Sequence, residues 1–222
     1  MIVERCIVMF VKLPREGEVK TRLAADLAGG FVVSLYEAFV ADLTAVLRRS
    51  GHPFRLAFTP PDRGDEIAAR FGDCPLIPQE GADLGERLKN AFQRSFADGY
   101  DRVVIIGSDS PDLPEESFSE AFRALDRRDA VIGPAADGGY YLIGFRKETF
   151  SPVVFDGIAW GTEQVFGQTM AHLKRAGRSV RRLPVRRDVD TPDDLRALLE
   201  RHRDTPFAAS RTMACLKAHG RR

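Results

Sequence analysis

The segment Asp101-Arg-Val-Val-Ile-Ile-Gly-Ser-Asp-Ser-Pro-Asp-Leu-Pro114 places a carboxylate, Asp109, directly after a short β-branched apolar run. Such a run is expected of a strand buried on both faces, and ligands of open α/β sheets bind outside the carboxyl ends of their strands. There Asp109 can hold a hard cation such as Mg²⁺ against a diphosphate. The other reading is a turn or helix cap ahead of Pro114, a role that Asp112 fits better. A second group of charges lies in the polar stretch Lys12 to Arg22, where Lys12, Arg15, Lys20 and Arg22 accumulate after another apolar run. Lys20 and Arg22 are placed to meet phosphate oxygens at the start of the following helix, with Lys12 nearby, unless the loop is only a solvated basic surface. Neither G-x-G-x-x-G nor G-x-x-x-x-G-K-[ST] occurs at this position.

Three further segments carry residues of interest. In Gly81-Ala-Asp-Leu-Gly-Glu-Arg87, Gly81 and Gly85 allow close backbone approach to a nucleotide base, while Asp83 and Glu86 equally suit a capping box. In Asp137-Gly-Gly-Tyr-Tyr141, Asp137 can bind a hydroxyl or act as a base, with Gly138, Gly139 and Tyr140 forming an acceptor wall; a plain turn is the alternative. Trp160, the only tryptophan, either stacks on a sugar or plugs the core, and Thr162 suits a helix cap. In Arg186-Arg-Asp-Val-Asp-Thr-Pro-Asp-Asp-Leu195, Thr191, Pro192 and Asp194 read as a helix start, which leaves Asp188 free to supply a second carboxylate to the cation at Asp109.

The elements that must position these residues alternate regularly. Strands are expected at Arg5–Val11, Phe54–Phe58, Pro75–Ile77, Asp101–Gly107, Ala130–Gly133, Tyr140–Phe145 and Ser179–Val185. Phe31, Leu35, Phe39, Leu43 and Leu47 recur every four residues and mark an amphipathic helix. Further helices are expected at Asp65–Phe71, Leu84–Phe96, Glu115–Arg127, Glu163–Arg175 and Pro192–Arg201. The alternation predicts a three-layer α/β/α, Rossmann-like fold with a mostly parallel mixed sheet in one domain, residues 1–202. Residues 203–222, a basic mixture with Pro, Ala and Ser, are expected to form a loosely attached tail.

With 33 basic and 32 acidic residues the chain carries no field that favours nucleic acid or a membrane surface, so any charge that matters is local. Cys6, Cys74 and Cys215 lack metal or redox spacing, and the four histidines share none either, which suggests reduced thiols in a cytoplasmic protein. No signal sequence and no apolar run of membrane-spanning length is apparent.

Taken as an ordered set, Lys12-Leu-Pro with Lys20-Thr-Arg-Leu, Gly107-Ser-Asp-Ser-Pro-Asp-Leu, Asp137-Gly-Gly-Tyr-Tyr and Asp188-Val-Asp-Thr-Pro resemble the GT-A-like nucleotide-diphospho-sugar transferase superfamily over almost the whole chain. The resemblance is closest to a bacterial family provisionally labelled glycosyltransferase, and more distant to phospholactate guanylyltransferase and the molybdenum-cofactor nucleotidyltransferases. It implies a nucleotide or nucleotide-sugar donor, a small-molecule acceptor and Mg²⁺ or Mn²⁺. It also implies that Lys20 and Arg22 contact donor phosphates, Asp109 and Asp188 the metal or phosphates, and Asp137 the acceptor side. The leading expectation is a nucleoside-diphosphate-sugar glycosyltransferase, with nucleotidyl transfer and a non-catalytic nucleotide-binding module as alternatives. Two features depart from the superfamily: the glycine-rich first loop of the nucleotidyltransferases is replaced by a Lys/Pro/Arg loop, and Asp-x-Asp is replaced by Asp109-Ser-Pro-Asp112.

Overall fold

The computed structural model describes residues 4–219. In chain order the elements are β1 (Arg5–Lys12), α1 (Thr21–Ala24), α2 (Gly29–Arg49), β2 (Phe54–Thr59), α3 (Gly64–Phe71), β3 (Leu76–Pro78), α4 (Leu84–Ala97) and β4 (Arg102–Ile106). They continue with α5 (Glu116–Leu125), β5 (Ala130–Pro134), β6 (Tyr140–Arg146), α6 (Val165–Arg175), β7 (Val180–Arg182), α7 (Pro192–Arg201) and α8 (Arg211–His219). The strands form one sheet in the order β3-β2-β1-β4-β6-β5-β7. Only β6 runs antiparallel to its neighbours, pairing Val104 with Gly144 on one side and Val131 with Gly144 on the other. Gly144 has no room for a side chain here, because a Cβ would lie 2.9 Å from both Val104 and Val131. The fold class is the three-layer α/β arrangement expected, with a mixed sheet.

Alternation along the buried strands builds the layers. Ile7, Met9, Val11, Val104 and Ile106 face a core shared with Tyr36, Val40, Leu43, Leu47, Phe118 and Phe122 of α2 and α5. Cys6, Val8, Val103 and Ile105 face the opposite core with Leu88, Phe92 and Phe96 of α4 and Leu173 of α6. Successive strand side chains point to opposite faces, so β1 and β4 are apolar throughout. By length and apolar content α2 does compare with a membrane-crossing helix, contrary to the expectation that no segment would. Here its apolar stripe is spent on the core, with Leu35, Phe39, Leu43 and Leu47 buried.

The C-terminal segment is not loosely attached. Leu23, Leu35, Phe39, Val189, Leu195 and Leu198 form a third core, against which Phe207, Cys215 and Leu216 pack. Asp42 of α2 accepts from the backbone N–H groups of Arg211 and Thr212 at 3.0 and 2.8 Å, capping α8 from another helix. The sequence conceals this because α8 has only a short apolar stripe and borrows its cap from a residue 169 positions away. The last three residues of the expected tail, Gly220, Arg221 and Arg222, lie outside the described residues.

Candidate functional site

Strands β1 and β4 are neighbours, and the chain leaves their carboxyl ends in different directions, towards β2 on one side and β5 on the other. Such a divergence opens a crevice in a doubly wound sheet. A cavity of about 320 Å³ occupies it, with walls that include Lys12, Lys20, Gln79, Arg87, Asp109 and Tyr140. Its frame is fixed by side chains that no sequence motif singled out. The Tyr36 hydroxyl accepts from Lys12 N–H at 2.9 Å and pairs with Ser108 Oγ at 3.0 Å, so α2 ties the β1 and β4 ends together. Burial pushes that hydroxyl's pKa up to about 12, which keeps it a neutral hydrogen-bonding strut. Gln79 donates both amide hydrogens to backbone, at 3.2 Å to Val11 and 2.7 Å to Ala57, and so joins β1 to β2.

The β1 loop delivers Lys20 to this cavity. Buried Leu13 and Val19 anchor the loop, and Lys20 itself has a left-handed backbone (φ 47°), uncommon for a residue with a side chain. The Lys20 side chain is only 2% exposed, and its ammonium pairs with Asp109 and, at 2.9 Å, with Asp190. Burial alone would lower the Lys20 pKa, but the two carboxylates more than offset it and hold it above its ordinary value. Likewise burial would raise Asp109, yet Lys20 holds its carboxyl below the usual range. The Asp109 side chain remains 46% exposed, so it faces both Lys20 and solvent. Arg22, largely exposed, reaches Asp190 at 2.9 Å.

Asp190 is the residue that reading the sequence missed. Absorbed there into the start of α7, it is in fact the hub between Lys20 and Arg22. The expected capping box of Thr191 and Asp194 is present and fixes the segment that carries Asp190. The visible signal was the Asp188-Val-Asp190 spacing: two alternate carboxylates on an extended segment, with Val189 between them buried in the third core. Val189 N–H donates to Asp109 C=O at 2.8 Å, which brings this segment against the β4 end.

Asp188 accepts from Ser110 Oγ at 2.5 Å. Burial first, then the nearby charges of Asp109 and Asp137, push its pKa up to about 7. Asp188 therefore lies within range of the negative charge of both Asp109 and Asp137. Among the described residues no three His, Cys, Asp or Glu side chains form a ready-made metal ligand set. Mg²⁺ nevertheless commonly takes only one or two protein carboxylates, with waters and substrate phosphates completing its shell, and oxygen donors of this kind suit it. Asp109 and Asp188 fit that chemistry, although Asp109 now serves Lys20 and Asp188 serves Ser110.

Other expected site residues are placed differently. Asp83 accepts from Glu86 N–H at 2.8 Å and Glu86 accepts from Ala82 N–H at 2.8 Å, so the 81–87 loop is occupied by helix-capping bonds. Gly81 lies against the Glu86 and Arg87 backbone, and Gly85 lies beneath Phe155 C=O and the Trp160 indole; neither lines the cavity. Leu84, Arg87 and Leu88 line it instead. Trp160 meets Tyr140 edge-on at 6.4 Å and packs against the second core rather than the cavity. Thr162 accepts from Gln164 N–H at 3.3 Å, in the turn ahead of α6. Asp137 accepts from Gly139 N–H at 2.9 Å, and a Cβ on Gly138 would lie 2.3 Å from Glu163 C=O. Gly138 thus serves loop packing, while the exposed Asp137 keeps an oxygen for other partners. Asp112 caps no helix: it takes Arg201 and His202 of the α7 end, each at 2.8 Å.

Several known proteins are similar to this chain. The profile of the family described as "Uncharacterized protein conserved in bacteria (DUF2064)" matches residues 42–162. A crystal structure from Desulfovibrio desulfuricans G20, provisionally named a nucleotide-diphospho-sugar transferase, is 43% identical with a TM-score of 0.95, covering 99% of this chain and 96% of that one. The 2-phospho-L-lactate guanylyltransferase of Methanothermobacter thermautotrophicus is 29% identical over 143 residues, 64% of this chain. That match spans 62% of the relative, less than two thirds of its length. Rv0371c from Mycobacterium tuberculosis H37Rv, solved in complex with manganese, is 20% identical with a TM-score of 0.55, covering 89% of this chain and 99% of that one, a likeness of fold alone.

Proposed function

We propose that this chain, which belongs to the DUF2064 family and shares the fold of the nucleotide-diphospho-sugar transferases, is a transferase whose donor is a nucleoside-diphosphate sugar bound at the β1–β4 crevice. The observation that carries this reading is the buried Lys20 ammonium held between Asp109 and Asp190 at the mouth of the cavity. A cation so placed, with Arg22 beside it, neutralises a departing diphosphate where charge develops during transfer. Asp109 and Asp188 would hold a divalent cation, which supplies further charge neutralisation on the diphosphate. Asp137, exposed and adjoining Asp188, would accept the proton of the acceptor hydroxyl as it attacks the anomeric carbon and the bond to the diphosphate breaks. The whole-chain likeness to the Desulfovibrio protein supports sugar transfer.

The likeness to a guanylyltransferase favours a second reading, nucleotidyl transfer from a nucleoside triphosphate. In that case the same cations would neutralise pyrophosphate. Incubation with nucleoside triphosphates and sugar nucleotides separates the two: release of nucleoside diphosphate from a sugar nucleotide supports glycosyl transfer, and release of pyrophosphate supports nucleotidyl transfer. Failure of every nucleotide to bind or turn over would remove both.

A further inference from the structure

A second cavity, of about 300 Å³, is lined by Asp112, Ala136, Val185, Arg186, Arg187 and Arg201. It adjoins the site through its own walls. Ala136 precedes Asp137, Arg186 lies two residues before Asp188, and the 186–190 segment runs from this cavity to Asp109, where Val189 N–H is bonded. The backbone here is pinned on both sides: Arg186 N–H donates to Pro134 C=O at 3.0 Å, and Ala136 N–H donates to Arg186 C=O at 2.8 Å.

Three guanidinium groups gather on one small cavity, with Asp112 the single carboxylate among its lining residues. Arg201 has Asp112 at 2.8 Å, and Arg187 leans on Asp194 at a looser 3.6 Å. Arg186 is paired with no carboxylate among the described residues, and its Nε–H is buried without a hydrogen-bond acceptor. Its guanidinium lies beside the Tyr141 hydroxyl, which donates to Pro184 C=O at 3.1 Å and keeps lone pairs to accept from a guanidinium N–H. A guanidinium with five donors, one neutral hydroxyl beside it and no carboxylate partner among the described residues, on a cavity that two further arginines line, is a place for an oxyanion. A terminal phosphate, with three acceptor oxygens and a charge of roughly −1.5 to −2, matches several guanidinia better than a single carboxylate does.

We infer that this cavity binds the phosphate of a small phosphorylated molecule through Arg186, with Arg187 and Arg201 beside it, and that this molecule is the acceptor of the transfer. Its identification as the acceptor rests on the function proposed above; the phosphate site itself does not. Bound there, the acceptor lies along the two segments that carry Asp137 and Asp188, within reach of the carboxylate proposed to take its proton.

The test titrates inorganic phosphate into the wild-type protein, Arg186→Gln, Arg187→Gln and Arg22→Gln at low salt by calorimetry, with acetate as the carboxylate probe and GTP, CTP and UDP-glucose as donor probes. Melting curves confirm folding, and Arg187→Gln, at an exposed position, serves if Arg186→Gln does not fold. Loss of one charge-assisted contact should weaken phosphate binding ~10-fold in Arg186→Gln, with a smaller loss in Arg187→Gln and donor-probe affinities unchanged. Phosphate affinity unaffected by Arg186→Gln and Arg187→Gln, or lost only in Arg22→Gln, overturns the site; acetate binding as tightly as phosphate overturns the ligand class. If no donor probe binds but phosphate binding still depends on Arg186, the phosphate site stands and the transferase reading fails.

Discussion

Replacing Lys20 by alanine should cost the ligand-free protein stability as well as activity. Its ammonium is 2% exposed and satisfies both Asp109 and Asp190, so the variant leaves two carboxylates facing each other across a vacated site. Removing one partner of a fully buried pair costs about 3–5 kcal/mol, and the 46% exposure of Asp109 lets water relieve part of that. A loss of roughly 2–3 kcal/mol remains, or about 5–10 °C in melting temperature for a chain of this size. The pH dependence is fixed by sign. The raised Lys20 pKa contributes stability below its ordinary value of 10.5, lost as pH rises through the higher folded value. The lowered Asp109 pKa contributes stability above its ordinary 3.8, lost as pH falls through the lower folded value. Without Lys20, burial raises Asp109 and Asp188 further. The gap between wild type and variant should therefore widen as pH rises from about 4 and these carboxylates ionise, and close again as pH rises through the Lys20 value, as followed by urea denaturation. Asp190→Asn, which leaves Lys20 its Asp109 partner, should lose less. A Lys20→Ala protein that melts within about 2 °C of wild type would refute the reasoning that Lys20 is a buried structural ion as well as a phosphate ligand.

Asp188 should behave in the opposite way. Its pKa rises from 3.8 to about 7 in the folded protein, so stability falls as pH rises across that window; Asp188→Asn should remove this slope and, at pH 8 without divalent cations, be more stable than wild type by up to roughly 4 kcal/mol. Equal pH profiles in thermal melts would contradict it. Met213, 2% exposed where α8 packs on the body of the protein, should cost about 2–4 kcal/mol when cut to alanine, and an unchanged urea midpoint would show that α8 is not part of the cooperative fold. Gly138→Ala places a methyl 2.3 Å from Glu163 C=O at φ +90°, so it should lower the melting temperature by at least about 5 °C; a silent substitution would mean that this loop does not pack as described.

Much of this protein is legible in its sequence because its strands are buried on both faces and its long helices keep one apolar stripe. The runs around Val8 and Val104 and the four-residue recurrence from Phe31 to Leu47 mark elements whose ends hold Lys12, Lys20 and Asp109. What the sequence hides is what depends on distant partners. Asp190 looks like part of a helix start until Lys20, 170 residues away, is seen on it. Asp112 looks like a cap until α7 brings Arg201 and His202 to it. Gly81 and Gly85 have the composition of a ligand loop, and only the positions of Glu86, Phe155 and Trp160 show that their lack of side chains serves packing. The last helix is short, with only a weak apolar stripe, and its docking is visible only once Asp42 and the α2 surface are in place.

The central claim is that Asp109 couples a divalent cation to nucleotide binding at the β1–β4 crevice. Calorimetric titration of UDP-glucose, GTP and CTP into wild type and Asp109→Asn, each with and without Mn²⁺, tests it most directly. Asn retains the shape and half of the hydrogen bonding to Lys20, so a folded variant is expected. The expected result is that at least one of these nucleotides binds the wild-type protein more tightly with Mn²⁺ than without, and that Asp109→Asn loses this metal-dependent increment while keeping the weaker metal-free binding. Metal-dependent binding of equal strength in both proteins would contradict the claim.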